Sequence, residues 1–334
     1  MEKIARKNMA QRSELFHETA SIMGIPDAIA EKDFWVCFVL KYLFEKSRLA
    51  QHIIFKGGTS LSKVFGIIQR FSEDIDLILD WGMLGVSNDE PWQKRSHTKQ
   101  DGFNKEVNKR AQVFIKNDFF GTVKDDFERF GIEGLMPDLD HDDLFVINIR
   151  YPRSFADSYI RPFVRLEIGP LASWIPHDKY TIKPYAAEFF PRQFVDPYCQ
   201  VISIKAERSF WEKATIIHQE AHRPSDKAPP LRYSRHYYDL FMMSMHKVKD
   251  TATADYRLLA DVVEFKMRFY PCKWANYENA RPGTFRLLPD GSNMKHLKDD
   301  YARMREMIFG TKPEFDEIVE RLAAMEHEIN GMAK

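Results

Sequence analysis

The sequence predicts an α+β protein, a small mixed β-sheet flanked by helices and followed by a mostly helical C-terminal domain. Three observations predict it. Residues 52–79 run strand, glycine turn, helix, strand; two more strand-like runs lie at 144–151 and 159–169; beyond about residue 195 apolar residues recur at helical spacing. At 334 residues the chain is long for one simple core, so two domains are expected, 1–197 and 198–334.

The elements follow in order. Residues 26–46 read as a helix with Pro26 in the first turn, apolar on most sides beyond Asp33 and therefore largely buried. HIIF (52–55) is a short buried strand, broken by Gly57-Gly58-Thr59. SLSKVFGII (60–68) then has helical spacing through Leu61, Val64, Phe65 and Ile68, and DIDLIL (74–79) is a second strand. Residues 101–118 form an amphipathic helix with Phe103, Val107, Ala111 and Phe114 on one stripe. LFVINIRY and YIRPFVRLEIG read as adjacent strands. Helices are expected at 205–221, 233–248, 253–268, 297–309 and 313–330, with a proline-rich loop over 222–235. No internal repeat is visible.

Composition narrows the function classes. A hydrophobic share of 44% with 13% aromatics suits folded domains rather than disorder. Lys plus Arg and Asp plus Glu are both 49, so an RNA partner would need a local basic patch. Lys94, Arg95, Lys99, Lys105, Lys109 and Arg110 supply one candidate, with a solvated helix face as the ordinary alternative. Cys37, Cys199 and Cys272 are far apart and form no CxxC, which points to neither zinc nor a disulfide framework and fits a reducing cytoplasm. The start of the chain lacks an apolar signal core, and the longest apolar run, 34–40, is too short to span a bilayer. The expectation is a soluble cytoplasmic protein with no membrane partner.

Two short motifs carry the chemistry. A Gly-Gly pair between strand and helix lets backbone approach a ligand, and the free N–H groups of a helix start suit phosphate oxygens. It is not a Walker loop: Ser62 replaces the second glycine and Val64 the hydroxyl after Lys63. Alone, it is also compatible with a plain turn. In DIDLIL, residues i and i+2 share a side, so Asp74 and Asp76 aim two carboxylates at one spot, a costly pairing unless a cation joins them. The bland alternative is a solvated edge strand. Their joint occurrence weakens both alternatives, since a glycine turn followed by D-x-D is the arrangement of nucleotidyltransferases. Glu167 shares a strand face with Arg165 and is the candidate third acid, an ion pair with Arg165 being the alternative.

In the helical half, Lys213 lies beside the stripe of Phe210, Ala214 and Ile217, and Arg235 and Asp239 stand at i, i+4. Surface ion pairing would explain the latter; beside the N-terminal motifs, Lys213 becomes a triphosphate contact and Asp239 a residue that positions it. DLDHDD (138–143) is discounted as a calcium loop, because Asp143 replaces the required glycine and Ile149 the final glutamate.

AEKDFWVCFVL (30–40), FKGGTSLSKVF (55–65), RFSEDIDLIL (70–79), VRLEIG (164–169), ERSFWEKATIIH (207–218) and RYSRHYYDL (232–240) together resemble the nucleotidyl transferase AbiEii/AbiGii toxin family, toxins of bacterial toxin–antitoxin and abortive-infection modules. The resemblance implies a nucleotidyltransferase fold whose helical domain completes the active-site cleft. Gly58 and Thr59 match its Gly-Ser position, with threonine for serine. Asp74 and Asp76 match its metal-binding D-x-D, Lys213 its essential lysine and Asp239 its later catalytic aspartate. The implied enzyme is Mg²⁺-dependent, with a two-ion site, and transfers NMP from an NTP to RNA. Gly57, Gly58, Thr59 and Lys213 would bind phosphate, and Asp74 and Asp76 would hold metal, with Glu167, taken from strand phase rather than from the resemblance, as the candidate third acid. The implied acceptor is the tRNA 3′ end, which would block translation, and the implied partner is an antitoxin encoded alongside, of winged-helix type. The alternatives are a protein or small-molecule acceptor, or a catalytically silent nucleotide-binding module.

Overall fold

The computed structural model describes residues 1–157, 160–289 and 291–332. They divide into two compact units, one of Met1–Val64 with Ser72–Ile204, the other of Phe65–Phe71 with the chain from Lys205 onward.

The first unit contains α1 (Glu2–Ala5), α2 (Met9–Met23), α3 (Asp27–Glu45), β1 (Ile53–Lys56), α4 (Gly57–Lys63), β2 (Asp74–Leu79), α5 (His97–Phe114), α6 (Phe120–Phe130), β3 (Met136–Leu139), β4 (Val146–Arg150), β5 (Phe163–Gly169), β6 (His177–Ile182), α7 (Tyr185–Phe189) and β7 (Cys199–Ile204). The strands form one mixed sheet in the order β3-β4-β5-β2-β1-β7-β6. β2 runs antiparallel to β1 and parallel to β5, and the pairs β3–β4, β4–β5 and β6–β7 are antiparallel. Sequence patterning explains the layout. Ile75 and Leu77 alternate with Asp74 and Asp76, so one face of β2 is buried while the other keeps its carboxylates partly open. In α3 every residue from Ala28 to Leu40 is buried, as its near-continuous apolar character requires. Ser96 caps α5 by accepting from the Lys99 N–H (3.4 Å), and a π-helical turn over Ile115–Phe119 leads into α6.

The structure corrects the sequence reading at several elements. The helix expected over 60–68 starts earlier, at Gly57, and ends at Lys63. Gly66 has φ +63°, the left-handed conformation that terminates helices, and the segment after it is extended in the second unit. The strand expected from Tyr159 begins at Phe163, just after Pro162, and Tyr159 lies outside the described residues. Three strands were not expected: β3 and β6, both at the edges of the sheet, and β7. Edge strands need bury little, so their sequences carry weak alternation; β3 contains Pro137, and Asp178 and Lys179 of β6 are exposed.

The second unit comprises α8 (Ala206–Ala221), α9 (Ser234–Ser244), α10 (Val248–Thr253), α11 (Tyr256–Phe269), α12 (Gly291–Met304) and α13 (Phe315–Gly331). Glu314 and Glu317 form a capping box at the start of α13. The Asp300 carboxylate accepts from the N–H groups of Arg232 (2.8 Å) and Ser234 (2.9 Å), fixing the exit of the proline-rich loop into α9. The helix expected over 233–248 is interrupted between α9 and α10. Segment 65–71 joins this unit at an antiparallel bridge between Arg70 and Ile308, with Phe71 N–H donating to the Met307 carbonyl and Phe309 N–H to the Gln69 carbonyl, both 2.9 Å.

Candidate functional site

The residues expected to carry function fall into two groups, one in each unit. In the first unit β1 passes into α4 with no intervening loop. Lys56, the last residue of β1, is the cross-strand partner of Asp76, which brings the glycine turn against the D-x-D strand. Gly57 has φ +85°, and a Cβ built there would lie 1.8 Å from Asp76 Oδ2. Only glycine fits between the turn and that carboxylate. Thr59 is fully buried: its hydroxyl donates to the Asp74 carbonyl (2.5 Å) and lies 3.0 Å from the Ser72 hydroxyl. The side chain thus ties α4 to the start of β2. Gly57→Ala should displace the Asp76 carboxylate and strain the turn, lowering nucleotide transfer roughly tenfold or more at a stability cost of about 1–3 kcal/mol. A labelled-NTP transfer assay and a thermal melt read the two effects, and full activity in the variant would contradict the close approach.

Asp74 and Asp76 lie on the same side of β2, which is the central strand of the sheet and not an edge strand. Glu167 is the cross-strand partner of Asp76 on β5, and Arg165 that of Asp74. Burial, and after it the Glu167 charge, push the Asp74 carboxyl above the usual carboxylate range; Arg161, 3.3 Å from Asp74 Oδ1, offsets part of this. Glu167 accepts from Arg165 Nε at 3.0 Å, so the ion pair weighed as the alternative does form. Among the described residues no group of three His, Cys, Asp or Glu side chains is placed to hold a metal ion. The two aspartates nonetheless suit Mg²⁺, a hard cation that takes one or two protein carboxylates and completes its shell with water and substrate phosphates.

The second group surrounds Asp239, fully buried on α9. Arg70 grips it bidentately, Nε to Oδ1 at 2.7 Å and Nη2 to Oδ2 at 2.8 Å. Lys213 Nζ stands 2.8 Å from Oδ2 and 3.1 Å from His236 Nδ1. Burial alone would raise the Asp239 carboxyl, but Arg70 and Lys213 outweigh it and hold the group well below the usual carboxylate range. Burial pulls the Lys213 ammonium down, partly offset by Asp239. Burial and then the Lys213 charge keep His236 neutral, so its Nδ1 can accept from the lysine. Lys213 and Asp239, 26 positions apart in sequence, are therefore in direct contact, whereas Arg235 is exposed and does not take the i, i+4 place beside Asp239. Sequence reasoning assigned no role to Arg70, although it begins the quoted block RFSEDIDLIL; an arginine in an isolated extended segment carries no periodic signal.

Two other features resolve. In the discounted acidic loop, Asp140 accepts from the N–H groups of Asp142 and Asp143 (both 3.1 Å), Asn148 and Arg165, forming a side-chain-organised turn. In the basic stretch, Lys94, Lys99, Lys105, Lys109 and Arg110 are exposed; Lys105 pairs with Asp101 and Arg110 with Glu106, while Arg95 stacks over Phe103. No helix among the described residues is long and apolar enough to cross a membrane.

Residues 39–321 match the profile of the nucleotidyl transferase AbiEii toxin family, described as belonging to a type IV toxin–antitoxin system. No curated protein sequence matches the chain. Among solved structures it is similar to MenT4, a nucleotidyltransferase toxin of Mycobacterium tuberculosis, at 14% identity and a TM-score of 0.39, covering 93% of this chain and 98% of that one.

Proposed function

Because the chain belongs to the nucleotidyl transferase AbiEii toxin family, whose members are nucleotidyltransferase enzymes paired with an antitoxin, we propose that it is a Mg²⁺-dependent toxin that transfers NMP from an NTP to the 3′ end of tRNA and so blocks translation in the cytoplasm. The observation that carries the metal-dependent part is the juxtaposition of Gly57 with Asp76, on the same strand face as Asp74. Asp74 and Asp76 would hold divalent cation, with Glu167 available as a third acid once released from Arg165. A cation held by these carboxylates would supply positive charge for the leaving pyrophosphate and lower the pKa of the attacking hydroxyl. The backbone of Gly57, Gly58 and Thr59 binds phosphate oxygens. Lys213 supplies positive charge to the transferring phosphoryl group, and Asp239, with both oxygens occupied, positions that lysine. The RNA acceptor is supported by the exposed cations around α5, and the partner we expect is the antitoxin encoded alongside, of winged-helix type.

Incubation with each α-labelled NTP and total RNA, followed by sizing and sequencing of labelled species, tests the proposal. The expected product is a tRNA-sized band extended at its 3′ end, dependent on Mg²⁺. Label that resists RNase would move the acceptor to protein or a small molecule. NTP binding without pyrophosphate release from any acceptor would reduce the chain to a nucleotide-binding module.

A further inference from the structure

Helix α3 is packed on all sides, yet it carries three successive charged residues in its buried stretch: Glu31 and Lys32, each 0% exposed, and Asp33, 3% exposed. Consecutive helical residues project about 100° apart, so the three reach different surroundings. Glu31 accepts from the N–H groups of Ser154 (2.7 Å) and Phe155 (3.2 Å), in the segment leading toward β5. Lys32 donates to Glu73 Oε2 (2.5 Å) and to the Arg161 carbonyl (3.0 Å), while the Arg161 N–H donates to the same Glu73 oxygen (3.2 Å). Glu73 immediately precedes Asp74, and the Arg161 guanidinium touches Asp74. Asp33 pairs with Lys63 (2.6 Å), the last residue of α4, and accepts the Tyr185 N–H (2.6 Å); the Lys63 ammonium also lies 3.8 Å from the centre of the Tyr185 ring.

Two of these charges thus hold the two parts of the proposed site from behind. Lys32, through Glu73 and Arg161, fixes the start of the D-x-D strand; Asp33, through Lys63, fixes the helix that opens on the glycine turn. Pairing energy alone does not account for them. A fully buried ion pair roughly breaks even with well-packed apolar residues of similar volume, and α3 is otherwise built from such residues. What charged pairs add is direction, a fixed distance between named atoms on different elements. We propose that Glu31-Lys32-Asp33 is a positioning device for the nucleotide and metal site, with Lys32 setting Asp74 and Asp33 setting the phosphate turn, while Glu31 anchors the segment that carries Arg161. The proposal rests on the functional reading above.

Apolar double variants separate this role from a merely structural one. Lys32→Met/Glu73→Met and Asp33→Leu/Lys63→Met should stay folded, with melting temperatures lowered because the Arg161 and Tyr185 N–H groups lose their carboxylate acceptors. In calorimetry on the free proteins, the first should weaken Mn²⁺ binding roughly tenfold. At saturating Mn²⁺, the second should weaken roughly tenfold the binding of an α,β-non-hydrolysable analogue of the NTP that the wild type consumes, with its Mn²⁺ affinity kept. Lys32→Gln/Glu73→Gln and Asp33→Asn/Lys63→Gln, which neutralise both partners and keep an amide oxygen to accept the Arg161 and Tyr185 N–H groups, carry the same test if an apolar double variant does not fold. Folded variants that keep both wild-type affinities, or that lose both together, would overturn the positioning role. A wild type that binds neither Mn²⁺ nor any NTP analogue would instead overturn the functional reading itself.

Discussion

Asp76→Asn should abolish transfer of label from NTP to RNA, by roughly a thousandfold or more, the several kcal/mol expected of a metal-holding carboxylate. The residue sits in the middle of a seven-stranded sheet, with Asp74 two positions away on the same side and Glu167 opposite it on β5. The change conserves shape at a partly open position, so the melting temperature should move little, and the loss should be chemical rather than structural. Glu167→Gln should cost much less. Its carboxylate is already ion-paired with Arg165, and a Mg²⁺ held by the two aspartates would not need it, since water and substrate phosphates can complete its shell. The variants are compared by initial rates against a Mg²⁺ titration and by toxicity on induced expression. Retained transfer and toxicity in Asp76→Asn would remove the metal assignment.

The central strands were legible because their patterns are strong. DIDLIL alternates over its first four residues, and its buried face follows from Ile75 and Leu77 alone. β4 and β5 read as neighbours for the same reason, and they pair antiparallel, Ile147 opposite Leu166. β3 and β6 carry little sequence signal because an edge strand is held by backbone bonds on one side and needs little apolar surface. β7 alternates, with Cys199 and Val201 buried and Gln200 exposed, but its short pattern stands where helical spacing begins to dominate and is masked by it. The glycine pair and the aspartates were visible as residue types; that a Cβ at Gly57 would collide with Asp76 is a fact of strand register, which no spacing reveals. Arg70, Lys32 and Glu73 were invisible for a related reason. Their partners lie 169, 41 and 88 positions away or are backbone atoms, so only the fold brings them together.

Asp239→Asn should destabilise the protein by about 3–5 kcal/mol, because it leaves two buried cations facing a neutral amide. Arg70 and Lys213 both lose the anion that compensates their desolvation, and neither has water to replace it in full, with only 7% and 11% of their side chains exposed. The corresponding fall in melting temperature is on the order of 10 °C. The pH dependence fixes the sign. The folded-state pKa of Asp239 lies below its unfolded value, so its stabilisation is fully present above the ordinary carboxylate range and is lost as pH falls through the lower folded value. The stability gap between wild type and variant should therefore be flat between about pH 5 and 8 and narrow only in stronger acid. Urea melts of both proteins at neutral, mildly acidic and strongly acidic pH measure it. A variant as stable as the wild type at neutral pH would mean that Asp239 does not compensate these cations. A gap already closing at mildly acidic pH would mean that the carboxylate is not held as far down as its two partners require. Arg70→Met, which leaves Asp239 its contact with Lys213, should lose less than Asp239→Asn, since one cation and one anion then still compensate each other. That ordering follows only if the buried carboxylate is the hub of the group, compensating both cations at once.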